Sequence, residues 1–403
     1  MGRESFVPDT HALWHAATPY PANDDLLYPA GIQHGVVHRA GNDGYRFLHD
    51  CAIVAHEGLL FAAWYNCPEG EIAGESLIRG RRSIDGGKTW SDVEVIAADH
   101  DRKGVFYVPV QFLSMGGTLC AYVSTMTGHD RVVSCEAFRL GSSGALSDWV
   151  PAGTIAPLFL PNAAPVRAAD GKLLMAGRCA ARLGQLPTIP AVARSTTPFG
   201  EWEVVRLLPR GVLPDGRSLK YPETTLIAED ANVTAFVRNE HGFALVFLST
   251  DSGRTWRGPF EQDMPLGAAK MCSGILSTGQ RYIVFSTPSD GYRDLLTIAV
   301  SRSDEPEFCA VLKVAHGFSE TLGCGPEWSY PSAVEFDGTL FIVYTSEKHH
   351  CVMARIPMES LLVRAGSLAT AGCTCGWSGA TGNRVEPYFT SNPLRSKCKS
   401  FVY

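Results

Sequence analysis

One short pattern recurs six times along the chain: an apolar strand, a tight turn and a second apolar strand, at intervals of roughly 50 to 60 residues. The second strands read LLFAAW at 59–64, TLCAYV at 118–123, KLLMAG at 172–177, VTAFVR at 233–238, RYIVFS at 281–286 and TLFIVY at 339–344. Before them stand Glu57-Gly58, Gly116-Gly117, Asp170-Gly171, Asp230-Ala231-Asn232, Thr278-Gly279 and Asp337-Gly338, residue types that tolerate the positive φ of a tight hairpin. Each interval leaves room for two further strands, the size of a four-stranded propeller blade. A β-sandwich has no reason to repeat one hairpin at one period. The expected fold is therefore all-β, a six-bladed β-propeller with four-stranded antiparallel blades over about residues 40–357.

A ring must pair its two ends to remove free edges, and the apolar stretch at 31–38 is expected to pair with the last blade. Residues 1–364 then form a single propeller domain. From 365 to 403 the chain is small, polar and cysteine-bearing without alternation, which reads as a poorly structured tail.

Composition narrows the function by exclusion. The chain has 403 residues, 45% hydrophobic and 19% charged, with a net charge of -6, and no run of Lys and Arg interleaved with aromatics. Nucleic acid is not expected as a partner. The first 25 residues carry Glu4, Asp9, Asp24 and Asp25 and lack the apolar run of a signal peptide or membrane span. No membrane partner is expected, and the chain as written would be cytoplasmic unless a leader was removed. The twelve cysteines are scattered singly and read as buried thiols. Cys373 and Cys375, with Cys398 beyond, form too weak a pattern to argue for metal. No metal or cofactor is expected, Gly86-Gly87 and Gly116-Gly117 being hairpin turns rather than phosphate loops. The oligomeric state leaves no mark in the sequence.

Two hairpins carry a sharper signature. Ser83-Ile84-Asp85-Gly86-Gly87-Lys88-Thr89-Trp90 and Ser249-Thr250-Asp251-Ser252-Gly253-Arg254-Thr255-Trp256 both fit S-x-D-x-G-x-T-W, the Asp-box, with weaker echoes at 195–202 and 301–308. Such residues shape a blade and do no chemistry. Together with the six-fold repeat they resemble the sialidase superfamily over nearly all of the chain except the tail. That resemblance implies an active site on the propeller axis, arginines on a substrate carboxylate, a tyrosine nucleophile assisted by a glutamate, and an aspartate acid/base.

Several of these roles carry over by position. Tyr221-Pro222-Glu223-Thr224-Thr225-Leu226, followed by Phe236-Val237-Arg238, resembles the glutamate strand and a clamp arginine. This makes Glu223 the base and Arg238 a carboxylate clamp, with Tyr221 a further substrate contact. Gly291-Tyr292-Arg293-Asp294 is similar to the segment of another clamp, Arg293, and Trp328-Ser329-Tyr330-Pro331 to the tyrosine strand, giving Tyr330 as nucleophile. Glu347 is the candidate for orienting an arginine. In the first blade His49 stands where the family has its first arginine, and the acid/base has no direct match, leaving Asp50 and Glu69 as candidates.

Three readings follow for a partner that is an oligosaccharide or polysaccharide. The first is an exo-glycosidase acting on a sialic or uronic acid terminus through Tyr330 and Glu223. The second is a polysaccharide lyase on uronic-acid glycans, in which His49 and Tyr330, or His34 and His38, serve as base and acid while arginines neutralise the carboxylate. The third is a carbohydrate-binding propeller without catalysis.

Overall fold

Six sheets follow one another in chain order around a common axis, and a computed structural model describes them over residues 10–363 apart from Asn42, Arg102 and Asp130. The tail at 365–403, with Cys373, Cys375 and Cys398, lies outside the described residues.

Blade 1 comprises Phe47–His56, Leu59–Cys67, Leu77–Ser83 and Glu94–Ala97. Blade 2 comprises Phe106–Met115, Thr118–Met126, Val132–Leu140 and Trp149–Pro157. In blade 3 the first strand is split into Phe159–Pro161 and Val166–Arg167, followed by Leu173–Cys179, Ile189–Ser195 and Glu203–Arg206. Blade 4 is Thr224–Glu229, Asn232–Val237, Leu245–Ser249 and Arg257–Gln262, and Thr10–His11 adds a parallel strand to its outer edge. Blade 5 is Cys272–Ile275, Arg281–Ser286, Leu295–Ser301 and Phe308–His316. Blade 6 is Trp328–Phe336, Thr339–Ser346 and His350–Pro357, completed by Gln33–Arg39 from the start of the chain. The repeated apolar runs are thus the second strands of the six blades. The described residues hold two short 3-10 turns, Asn23–Asp25 and Met358–Leu361, and no helix long and apolar enough to cross a membrane.

Strand periodicity explains how these sheets stack. Alternate side chains of a strand point to opposite faces, so a strand covered on both faces is largely apolar, as are Leu173–Cys179 and Leu295–Ser301, which are buried along their whole length. The apolar side chains gather in six clusters, one at each seam between neighbouring blades. Phe61, Ile78 and Phe112 join blades 1 and 2, and Val37, Trp64 and Met353 join blades 6 and 1.

The two S-x-D-x-G-x-T-W hairpins link the third strand of a blade to its fourth and pin the blade to the one before it. Asp251 Oδ1 accepts the backbone N–H groups of Arg254 at 3.0 Å and Thr255 at 2.9 Å, while Ser249 Oγ accepts that of Gly253 at 2.9 Å. Asp85 and Ser83 repeat the arrangement in blade 1. Gly87, at φ 74°, lies against the side chain of Met353 in blade 6, where a Cβ would collide with the sulfur end of that residue. Gly253, at φ 76°, faces Leu174 of blade 3, where a Cβ would make ordinary contact and the positive φ is what favours glycine.

These turn bonds hold both carboxylates in their charged form. Hydrogen bonds from Thr89 pull Asp85 down to about 2, and those from Thr255 pull Asp251 below the ordinary range. A depressed folded-state pKa contributes stability above the unfolded value of about 4, and this is lost as pH falls through the folded value. The Asp85→Asn/Asp251→Asn double variant is expected to melt a few degrees below the parent at pH 7. That gap should narrow as pH is lowered from about 4 to about 2, a trend that thermal melts followed by circular dichroism will read.

Candidate active site at the axial mouth

The first strands of neighbouring blades pack together around the axis, and their ends opposite the tight hairpins form one mouth of the ring. In blades 1 and 6 that end of the first strand is bulged. Strand pairing slips between His49 and Ala52 in one and between Ser329 and Ser332 in the other. Within the bulges Asp50 has φ 52° and Tyr330 has φ 59°. Both are non-glycine residues in the left-handed region, a conformation that an unpaired bulge residue can hold and that re-aims its side chain. The same local device therefore turns Asp50 and Tyr330 inward from adjacent blades.

Glu223 stands just before the first strand of blade 4, and Arg238 just after the second, where its backbone N–H donates to the Glu223 carbonyl at 2.9 Å. Their side chains meet again. Arg238 Nη1 donates to Glu223 Oε2 at 2.7 Å and to Tyr330 Oη at 3.1 Å, while Tyr330 Oη donates to Glu223 Oε1 at 2.7 Å. Burial alone would raise the Glu223 pKa, but the Arg238 and Arg178 guanidiniums hold the carboxylate below its usual range. Burial and the Glu223 charge push the Tyr330 phenol well above 10, against the pull of Arg238 and Arg293. At rest the site therefore holds a carboxylate hydrogen-bonded to a neutral phenol.

Two basic residues that the sequence reading passed over complete this cluster. Arg178, at the end of the second strand of blade 3, lies with its guanidinium 5.4 Å from the Tyr221 ring centroid, and Arg238 lies 5.3 Å from that centroid. Tyr221 is thus a cation–π partner of two arginines. Lys270, just ahead of blade 5, is buried and its Nζ contacts Asp50 Oδ1. Burial outweighs this ammonium and brings Asp50 up to about 6.

Arg293 sits at φ 52° at the entry to the third strand of blade 5, 5.7 Å from the Tyr330 ring centroid. Its carboxylate neighbour is Glu327 at 3.7 Å, not Glu347, and its Nη2 donates to the Ala268 carbonyl at 3.1 Å. His49 packs against Tyr330 with ring centroids 4.1 Å apart, and its buried Nδ1 has no hydrogen-bond partner. Burial first, then the charges of Lys348, Arg293, Lys270 and Arg238, push its pKa well below 6.5, so the imidazole is neutral.

Other expected parts lie elsewhere. Glu69 is exposed in the loop after the second strand of blade 1, and no contact among the described residues joins it to the cluster. It is Glu71 of that loop that reaches in, accepting from Tyr65 Oη at 3.2 Å and Lys348 Nζ at 3.0 Å. His34 and His38 are on the outer strand of blade 6, where His34 Nε2 meets the Val314 carbonyl and His38 stacks on Trp64. Neither reaches the mouth. Among the described residues no group of three or more His, Cys, Asp and Glu side chains is arranged to hold a metal ion.

Because Glu223 and Arg238 are buried together, removing one strands the other. Arg238→Met is expected to cost about 3–5 kcal/mol, with Glu223→Gln/Arg238→Met recovering most of the loss. Urea denaturation of the two single variants, the double variant and the parent will measure this coupling.

A family model described as a BNR repeat-like domain matches residues 58–342. No curated protein matches the chain. Among solved structures it is similar to a Trypanosoma rangeli sialidase mutant displaying trans-sialidase activity, at 14% identity and a TM-score of 0.60, over 83% of this chain and 60% of that one. It is also similar to the NanB sialidase of Streptococcus pneumoniae, at 9% identity and a TM-score of 0.61, over 81% of this chain and 71% of that one. A Dyadobacter fermentans protein of unknown function matches at 14% identity and a TM-score of 0.59, over 81% of this chain and 99% of its own. The chain thus spans about 60% of the length of the trypanosomal sialidase and nearly the whole of the Dyadobacter protein.

Proposed function

This chain belongs to the BNR repeat-like domain family, within the sialidase-like superfamily, and we propose that it is an exo-acting glycosidase that cleaves a carboxylate-bearing sugar, a sialic or uronic acid, from a glycan terminus. The observation that carries this reading is the 2.7 Å hydrogen bond from Tyr330 to Glu223 beside Arg238. A phenol so placed can attack an anomeric carbon while its proton passes to the carboxylate. An uncharged nucleophile also avoids the repulsion that an Asp or Glu would meet from the substrate's own charge.

Arg178, Arg238 and Arg293 supply the carboxylate clamp in this reading. Guanidinium forks are permanently charged and match a carboxylate in two hydrogen bonds. Asp50 is the acid that protonates the departing oxygen and, as a carboxylate, then takes a proton from the water that releases the tyrosine. Lys270 holds Asp50 in position, and without that ammonium its pKa would rise further.

Tyr330→Phe keeps the ring against His49 and removes the nucleophile. It is expected to lower kcat with a fluorogenic sialoside or glucuronide about 10³-fold or more while KM changes about threefold at most. Unchanged turnover would dismiss Tyr330 as nucleophile. A second prediction concerns pH. The acid works only when protonated, so kcat/KM of the parent should fall as pH rises through about 6, and Asp50→Asn should lose that limb along with most activity.

The neutral His49 against Tyr330 favours a second reading, β-elimination on a uronic-acid glycan, with the imidazole as base and the phenol as acid. An unsaturated product absorbing in the near ultraviolet would support it. Release of a saturated sugar with incorporation of solvent oxygen would sink it.

A further inference from the structure

A cavity of about 400 Å³ opens on the outer side of the ring between blades 5 and 6, away from the axial cluster. Its walls are Tyr28 and Ile32 from the chain ahead of the closing strand, Ala315 and Phe318 at the end of blade 5, and Trp328 and Tyr344 of blade 6. Two features set it apart from an ordinary surface cleft. Tyr28 is 46% exposed and Phe318 is 63% exposed, so two aromatic rings stand open to solvent where an interior seam would bury them. Tyr344 is fully buried, yet its hydroxyl has no hydrogen-bond partner. A buried hydroxyl left unpaired is unfavourable, a cost that a polar group brought within reach removes.

The lining also selects the ligand's charge. No Asp, Glu, Lys or Arg lines the cavity, and burial holds His34 below the usual imidazole range, with its Nε2 on the Val314 carbonyl. His316 stands at the edge with its side chain 47% exposed. Aromatic faces beside isolated hydroxyl and imidazole groups suit a molecule with apolar C–H faces and hydrogen-bonding edges. A lipid tail would leave the Tyr344 hydroxyl unpaired, and an anion or a cation would find no charged side chain in the lining itself, Arg39 and Asp294 being turned to Leu322 and His316 behind it.

We infer that this cleft is a second carbohydrate site that takes one uncharged pyranose ring, packed between Tyr28 and Phe318 and reaching toward Tyr344. It lies against the axial site through Trp328, whose backbone N–H donates to the Arg293 carbonyl at 2.8 Å two residues before Tyr330. The inference stands apart from the axial chemistry, because a sugar can occupy the cleft whether or not Tyr330 is a nucleophile.

Calorimetric titration of the full chain with methyl β-D-galactopyranoside and methyl α-D-glucopyranoside tests it, with sodium glucuronate and p-cresol as contrasts. At least one methyl pyranoside is expected to bind with a Kd on the order of 1 mM. Phe318→Ala should weaken it about tenfold, as the loss of one aromatic contact does. Tyr344→Phe, which removes one oxygen and keeps the ring, should also weaken it, whereas Tyr330→Phe should leave it unchanged. The inference is overturned if neither pyranoside titrates, if p-cresol alone binds, if Phe318→Ala binds as the parent does, or if Tyr330→Phe abolishes the binding and so locates it on the axis.

Discussion

Ring closure is the constraint on which the axial site depends. An open row of six sheets would leave unpaired backbone groups at both ends and would not fix the distance between its first and last blades. Pairing of Gln33–Arg39 with His350–Pro357 removes both faults with strands from opposite ends of the described chain. The consequence is felt at the axis. Lys270 reaches Asp50 across 220 positions of sequence, and Tyr330 meets His49 across the seam between blades 6 and 1. The clusters around Val37, Trp64 and Met353 that hold this seam closed therefore also set the geometry of the mouth.

The fold was legible because its signals are local. A turn dipeptide followed by an apolar run marks a hairpin within a dozen residues, and six repetitions at one interval leave one architecture. The parts of the site that could be read were those lying beside such hairpins: Glu223 and Arg238 flank the first hairpin of blade 4, and Tyr330 precedes that of blade 6. Arg178 follows the apolar run of its second strand just as Arg238 follows its own, so a comparison of blade with blade would have exposed it. Lys270 was hidden for a physical reason. It stands in the irregular stretch Gly267-Ala268-Ala269-Lys270-Met271, where no period gives its direction, and only the closed ring brings Asp50 to it.

The bulges were equally invisible. Asp50 belongs to a residue type that tolerates positive φ and Tyr330 precedes Pro331, but such residues also occur in turns and at strand edges, so neither fixes a bulge at that position. What holds them there is the pairing on either side: the first strands resume register with their hairpin partners at Ala52 and Ser332. Strain at a functional residue is tolerated when its surroundings over-determine it. Here long antiparallel ladders at one end, and the packed neighbour at the other, leave the bulge residue no alternative.

The charges at the mouth are nearly balanced. Arg178, Arg238, Arg293, Lys270 and Lys348 face Glu223, Glu240, Asp50, Glu71 and Glu327, five cations against five carboxylates. The balance tips to positive when Asp50, brought up to about 6, holds its proton. His49 stays neutral because the same cations disfavour a further positive charge. The cations are not equally available. Arg238 is committed to Glu223 and Lys270 to Asp50, and breaking either buried pair would leave a carboxylate stranded. Arg293 is held more loosely, by Glu327 at 3.7 Å and one backbone carbonyl, and can turn to an incoming anion at smaller cost. With Asp50 protonated the cluster carries one more cation than carboxylate, and Arg293 is the cation that an anion can reach without breaking the pairing of Arg238 with Glu223.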